Sequence, residues 1–488
     1  LSKQPSELRY AVRFRVVLKY LGQLLLIVAV LTLVPLVVSL FVGEYHITLR
    51  YAVVVGFLGA LGFILSRIPR VVGVQTNEAL VLAASIFFLV PVAMAFVFMA
   101  SGLSFMDAVF EAISAATTTG LSTLANVENK PQTFLFARAW MQWYGGLGIV
   151  VLSLALVMAP GIEAKSLAVT EEQTEDLIGG TRAHARRVLL VYGILTIAGI
   201  VILWPSSRNF FNALLYTFAA ISTGGFAPYN NSLPGLGSGW VQGMVIFLSL
   251  AGAISLPLYH QAYRKGWRLL FGDPQVQALL ACGFLATILL AGSLRLGQQA
   301  SWADVFYQAP LMAFSAQTTA GFSTSNPGHY CSAAKMILIG AMLVGGSLGS
   351  TAGGFKVLRL LVLIQVLRFL LVRTSLPPHA VMEPHLKGRI LSPPEIRQAF
   401  SIVLLFFLVV GISWFFFVAE GYHALDSLFE VVSATGTVGL STGLTSSGLP
   451  AHLKMVLCAD MLLGRLEIVA WMIIFYPKTW YGRRMQAS

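Results

Sequence analysis

Residues Ala116 to Thr123 read ATTTGLST, seven small or polar residues out of eight, set between long apolar runs. The pattern returns three more times. Aligned on a central glycine, the copies are Thr117-Thr-Thr-Gly-Leu-Ser-Thr123, Ser222-Thr-Gly-Gly-Phe-Ala-Pro228, Thr318-Thr-Ala-Gly-Phe-Ser-Thr324 and Gly436-Thr-Val-Gly-Leu-Ser-Thr442. Each has Thr two residues before the glycine and Leu or Phe after it. A single copy reads as an ordinary turn, since Thr, Ser and Gly are turn residues. Four copies at the same place in four similar units ask for a common reason.

The units are made of apolar helices. Of 488 residues, 57% are hydrophobic and 11% charged, with a mean hydropathy of +0.79; soluble domains carry about 25% charged residues. The composition is that of an all-α polytopic membrane protein. Two leading spans, about Lys19 to Phe41 and Ile47 to Leu65, occupy residues 1–77 and lack the polar interruption. A hydrophobic segment this long, after Lys3, Arg9, Arg13, Arg15 and Lys19, is expected to stay as a first span rather than be cleaved. Four repeats follow, at residues 78–185, 186–273, 274–396 and 397–488. Each reads as a long helix, a short amphipathic helix, a T-x-G stretch and a second long helix. Ten spans and four half-helices result. Every unit crosses an even number of times, so the repeats are parallel and related by an axis along the membrane normal. Four of them predict a pseudo-fourfold ring around a central path.

Placing the N-terminus in the cytoplasm collects most of the 32 Lys and Arg on that side, in the segments around Arg67 and Arg70, Lys165 to Arg187, Arg264 to Arg268, Lys356 to Arg397 and Lys478 to Arg484. Both termini then lie inside and the T-x-G stretches lie outside. The net charge of +12 is accordingly a topology signal and not a nucleic-acid surface. Cys282, Cys331 and Cys458 have no paired spacing and read as free thiols.

Thirteen residues before each glycine stand Asp107, Asn212, Gln308 and Asp426, expected to cap or begin the short helix. That helix ends at the T-x-G, aiming its partial negative charge at whatever lies there. Non-helical backbone survives at membrane depth only when protein or a water-filled cavity surrounds it. Four such segments at one depth satisfy this by sharing a cation, as the carbonyl rings of potassium filters do. The segments are Thr118-Thr119-Gly120, Thr223-Gly224-Gly225, Thr319-Ala320-Gly321 and Thr437-Val438-Gly439, with K+ expected at Gly120, Gly225, Gly321 and Gly439. The acidic residues Asp107, Glu111, Asp426 and Glu430 of the short helices suit either cation attraction or packing.

At this point the chain resembles the TrkH/KtrB/HKT superfamily of K+ transporters, and most closely the Trk-type potassium uptake membrane subunits of the TrkH/TrkG type, over nearly its whole length. Two further motifs carry the resemblance. The glycine-rich run from Gly345 through Gly346, Ser347, Gly349, Gly353 and Gly354 to Lys356 stands where the family has an intramembrane gating loop. Leu463-Gly-Arg-Leu-Glu467 stands where the family has an arginine, here Arg465, in the pore. The glycine run is too poor a helix former to continue a span, at about 1 kcal/mol per Gly. Close helix packing through small residues is the other reading of it. Gly354 is followed by Phe355 rather than Lys, so it is no phosphate loop. Arg465 within a span costs at least ~2.5 kcal/mol unless paired or hydrated, with Asp460 or Glu467 as candidate partners.

The resemblance also implies selectivity and partners. A serine at the first filter glycine goes with sodium transport in this superfamily; here it is Gly120, which favours potassium and rubidium. A homodimer docked on a TrkA-type cytoplasmic nucleotide-binding subunit in the bacterial inner membrane is implied, with contacts through the charged segments Glu163 to Arg187 and Val372 to Arg397. No cofactor is expected beyond K+ as the transported ion. No catalytic constellation such as H-E-x-x-H is present, so the chain does not read as an enzyme. The reading that stays open beside gated passive entry is a proton- or sodium-coupled secondary transporter, with Asp460 as the coupling carboxylate.

Overall fold

The computed structural model describes residues 11–69, 74–157, 177–206, 209–375, 377, 383–387 and 389–481. Two long helices come first, α1 (Phe14–Val42) and α2 (Tyr45–Ser66), packed as an antiparallel pair. The first repeat is α3 (Thr76–Phe98), the short α4 (Phe105–Ala116) and α5 (Gln132–Val157). The second is α6 (Leu177–Leu203), the short α7 (Phe210–Ile221), then α8 (Gly239–Ala253), α9 (Leu256–Lys265) and α10 (Arg268–Gly272). The third comprises α11 (Pro274–Gln298), α12 (Trp302–Gln317), α13 (Ser332–Val344) and α14 (Val357–Arg373). A two-residue-per-strand ribbon, β1 (His385–Leu386) with β2 (Arg389–Ile390), leads into the fourth: α15 (Pro393–Ala419), the short α16 (Ala424–Thr435), α17 (Ala451–Arg465) and α18 (Val469–Phe475).

The repeats close on one another. The second helix of each repeat packs on the short helix of the next: α5 on α7, α8 on α12, α13 on α16, and α17 back on α4. This cyclic order is the expected pseudo-fourfold ring. Polar side chains mark three of the four seams. Lys454 of α17 donates to Asp107 of α4 at 2.7 Å, Lys335 of α13 donates to Asp426 of α16 at 2.6 Å, and Tyr307 of α12 bonds Gln242 of α8. The lipid-facing rim is apolar, with Phe41, Phe271, Leu296 and Phe475 exposed.

Two expectations change. Among the described residues six helices are long and apolar enough to cross a membrane, or seven if the bent α8–α9 pair is one span. Of the second helices, α5 runs unbroken and the other three are broken. The bend between α8 and α9 is 85°, α13 and α14 are separated by the glycine loop, and α17 and α18 are separated at Glu467 and Ile468, both left-handed. Asp107, Asn212 and Asp426 do stand in the first turns of their helices, but the caps lie elsewhere. Ser104, Asn209 and Ser301 cap α4, α7 and α12 with their side-chain oxygens, and α16 starts after His423 without a side-chain cap. Asp107 stands three residues beyond its cap and accepts the Ser104 hydroxyl at 2.7 Å. Gln308 lies well inside α12, which begins about one turn earlier than its counterparts. Arg70, Lys165, Arg483, Arg484 and most of the Glu163 to Arg187 segment lie outside the described residues.

Candidate functional site

Each short helix ends the same way. The amides of Thr118 and Thr119 return to the carbonyls of Ala115 and Ser114; Thr223 and Gly224 to Ala220 and Ala219; Thr319 and Ala320 to Ala316 and Ser315; Thr437 and Val438 to Ala434 and Ser433. This paired return is a Schellman termination, which requires a left-handed residue just past the cap. That residue is normally glycine. Here it is threonine four times, with φ of 54°, 52°, 55° and 49° at Thr118, Thr223, Thr319 and Thr437. The terminations use up part of the carbonyl field that the helix ends were expected to aim forward.

The glycines that follow are left-handed too, at 87°, 76°, 71° and 93° for Gly120, Gly225, Gly321 and Gly439. Their need for glycine is steric as well. A Cβ on Gly120 would strike the carbonyl oxygen of Gly224, one on Gly225 that of Ala320, one on Gly321 that of Val438, and one on Gly439 that of Thr119. The four stretches therefore touch head to side in one closed ring, with a carbonyl oxygen at every junction. All four threonines at the anchor position are fully buried.

The structure brings the glycine-rich loop to the inner edge of this ring. The Gly353 amide donates to the Thr319 hydroxyl at 2.7 Å and the Gly354 amide to the Gly436 carbonyl at 3.0 Å. The Thr223 hydroxyl donates to that of Thr351 at 3.3 Å. Gly345 is held by the Gln317 side chain at 2.8 Å. The break after α8 is filled by the same loop, since Ala253 and Gly252 carbonyls accept the amides of Ser347 and Thr351, and the Leu256 amide donates to the Gly349 carbonyl. Backbone groups freed by a broken span are thereby satisfied within protein.

Arg465 completes the arrangement. Its guanidinium donates to the carbonyls of Thr351 at 2.7 Å, Gly145 at 3.2 Å and Gly146 at 3.5 Å. The Thr351 hydroxyl in turn donates to the carbonyls of Ile221 and Gly252, each at 3.0 Å. All four repeats meet at this Arg465–Thr351 knot. Neither expected acid pairs with Arg465: Glu467 accepts from Arg359 at 2.7 Å and Asp460 from Ser413 of α15 at 2.6 Å. Asp460 thus faces the helix behind it and not the ring. Lys356 and Arg359, counted above among cytoplasmic charges, are buried against the α13–α14 break.

Side chains hold the ring from behind, and of these reasoning from sequence missed Gln142, while it offered packing as one role for Glu111 and Glu430. Gln142 of α5 donates to the Gly224 carbonyl and accepts from the Phe226 amide at 3.2 Å; a Cβ on Gly224 would collide with it. Glu111 accepts from Ser122 and Thr123, and Glu430 from Ser441, Thr442 and Thr445. The signal for the two glutamates was legible, since both stand nine residues before their glycine.

The chain as a whole has counterparts in known proteins. The profile of the TrkH family, described as cation transport protein, matches residues 47–481. This chain belongs to the TrkH family. A similar protein from Methanocaldococcus jannaschii, described as an uncharacterized cation transporter, is 30% identical over 94% of each chain. The Trk system potassium uptake protein TrkH of Halomonas elongata is 30% identical, over 96% of this chain and 99% of that one. The crystal structure of the potassium transporter TrkH from Vibrio parahaemolyticus superimposes with a TM-score of 0.85 at 26% identity, covering 96% of this chain and all of the other. The four-repeat ring described above is thus a TrkH-family architecture.

Proposed function

We propose that this chain is a Trk-type potassium uptake subunit in which the four T-x-G segments form a selectivity filter and the Gly345 to Gly354 loop, with Arg465, closes the path beneath it. The observation that carries the reading is the ring of glycines, each opposed to a neighbouring carbonyl oxygen. Four fixed carbonyl dipoles replace the hydration shell of a cation. Glycine at all four positions, including Gly120, is the pattern that the superfamily resemblance links to K+ and not Na+. The described segments hold none of the Tyr-Gly extension of tetrameric potassium channels, so fewer stacked ion sites and looser discrimination follow.

A membrane voltage of ~100 mV supplies roughly 2.3 kcal/mol per charge, about fiftyfold accumulation, so uptake needs no nucleotide on this chain. With the loop hydrogen-bonded to Thr319, Thr223 and Gly436, the described conformation is the closed one. Opening from the cytoplasmic side by a TrkA-type regulatory subunit, a homodimeric assembly, and a bacterial inner-membrane location with both termini inside belong to the same proposal. The naming of relatives as parts of a Trk system supports a separate regulatory component. The coupled-transporter alternative loses ground because Asp460 bonds Ser413 away from the ring.

The test is rubidium flux into liposomes holding this chain alone, with potassium or sodium as competitor, for the wild type and Gly120→Ser. Strong competition by potassium, weak competition by sodium and a narrowed difference in the variant are expected. Flux that needs a proton gradient and ignores voltage would overturn the passive reading.

A further inference from the structure

The residue nine before each filter glycine does the same job in every repeat with different chemistry. In the first, Glu111 accepts the Ser122 hydroxyl at 2.5 Å and the Thr123 amide at 2.9 Å, and its other oxygen lies 3.2 Å from the Arg138 guanidinium. In the second, Tyr216 donates its hydroxyl to the Ser232 carbonyl at 2.6 Å. In the third, the Met312 sulfur receives the Thr324 amide at 3.3 Å. In the fourth, Glu430 accepts the Ser441 hydroxyl at 2.6 Å, the Thr442 amide at 2.7 Å and hydroxyl at 3.0 Å, and the Thr445 hydroxyl at 2.6 Å. All four residues are fully buried. Each ties its own short helix to the strand that leaves the filter.

The strength of the tie differs. A methionine sulfur is a weak acceptor, whereas hydrogen bonds to a carboxylate are roughly twice as strong as neutral ones. Glu111 has a cation, and that cation, Arg138, lies 3.7 Å from the centre of the Phe226 ring, the residue after the second filter glycine. No cation is paired with Glu430 among the described residues. Its carboxylate is held by four donors, all of them from the five residues that run from Ser441 to Thr445.

We propose that Glu430 is a specificity-determining positioning residue: its buried carboxylate splints Ser441 to Thr445 against α16 and so fixes the Val438 and Gly439 carbonyls at the radius that suits K+. The inference rests on the filter reading above. Filter selectivity is set by the size of the cavity and by the number and field strength of the carbonyls that the ion meets. A splint on the segment that leaves the filter fixes where those carbonyls stand without touching the ion. Glu111 performs the same task for the first segment, with Arg138 extending it to the second.

The experiment is the liposome competition assay on Glu430→Gln, Glu430→Asp and Gly120→Ser, with the unfolding temperature of each purified protein measured in parallel. Glutamine keeps the shape but loses the charge and one acceptor. The preference for potassium over sodium is expected to fall by about tenfold in Glu430→Gln, the loss of roughly one hydrogen bond to a charged group, while rubidium still permeates. Glu430→Asp, which keeps the charge, is expected to regain part of it. A folded Glu430→Gln with wild-type preference, beside a Gly120→Ser that has lost preference, overturns the inference and leaves the filter standing. Unchanged preference in both overturns the filter reading and this inference with it. Should Glu430→Gln fail to fold, Thr445→Val and Ser441→Ala remove one donor each, and unaltered preference in both overturns the inference.

Discussion

Four buried threonines hold a backbone conformation that β-branched residues avoid. A non-glycine residue in a sparsely populated region costs of order 1–3 kcal/mol and persists where its surroundings over-determine it. Glycine would relieve Thr118, Thr223, Thr319 and Thr437, yet would remove the hydroxyls that meet the loop at Thr319 and Thr223. Among the described residues, the hydroxyls of Thr118 and Thr437 are buried without a partner. Thr319→Val keeps the shape and leaves the Gly353 amide unpaired, weakening closure by ~1–2 kcal/mol. Rubidium leak through the chain alone should rise roughly five- to thirtyfold; an unchanged leak would contradict a closing role for this bond. Arg465→Gln should raise the leak as well, since three carbonyls lose their donor and the path loses a positive charge. These residues were legible by alignment of the stretches on one another. The capping residues were not, because a carboxylate or amide three residues inside a helix has the same composition as one at the cap.

At the scale of elements, the short helices are positioned by glycines on the second helices. A Cβ on Gly145, Gly252 or Gly464 would run into the last-turn carbonyl of the adjoining short helix, at Ala116, Ile221 and Thr435. These glycines sit at one equivalent place, and Arg465 follows the last of them. Gly252→Ala is expected to destabilise the detergent-solubilised protein by ~1–3 kcal/mol, the cost of overpacking a tight site, read as a lower thermal unfolding midpoint. Gly292→Ala, on α11 where a Cβ meets open space, should leave the midpoint unmoved. The breaks in the second helices were only partly legible. The glycine run announced the break between α13 and α14. The 85° bend after α8 is signalled only by Pro257 in the first turn of α9, and its other cause is not local, because the Gly252 and Ala253 carbonyls bond a loop a hundred residues away.

Across the whole molecule, closure of the ring joins the last repeat to the first. Lys454 and Asp107, 347 positions apart, make that seam, and Lys335 with Asp426 makes the equivalent one between the third and fourth repeats. Lys454 is buried and Asp107 about one-sixth exposed. Lys454→Met should therefore cost ~2–3 kcal/mol, toward the low end for a broken buried pair, and adding Asp107→Leu should recover much of it. A double variant no more stable than the single would show that the pair is not coupled. Repeat number and parallel direction were readable from the four interruptions alone. The ring was expected from them too, but the side chains that make its seams were not, since they depend on contacts between repeats that are distant in sequence. At the centre of all these contacts, a cation is proposed to sit on the axis of the glycine ring. The most direct measurement is anomalous X-ray scattering from crystals of this protein grown in rubidium. A peak encircled by Gly120, Gly225, Gly321 and Gly439 is expected, weakened in Gly120→Ser; a rubidium peak found only away from that ring, for example beside Asp460, would contradict a filter there.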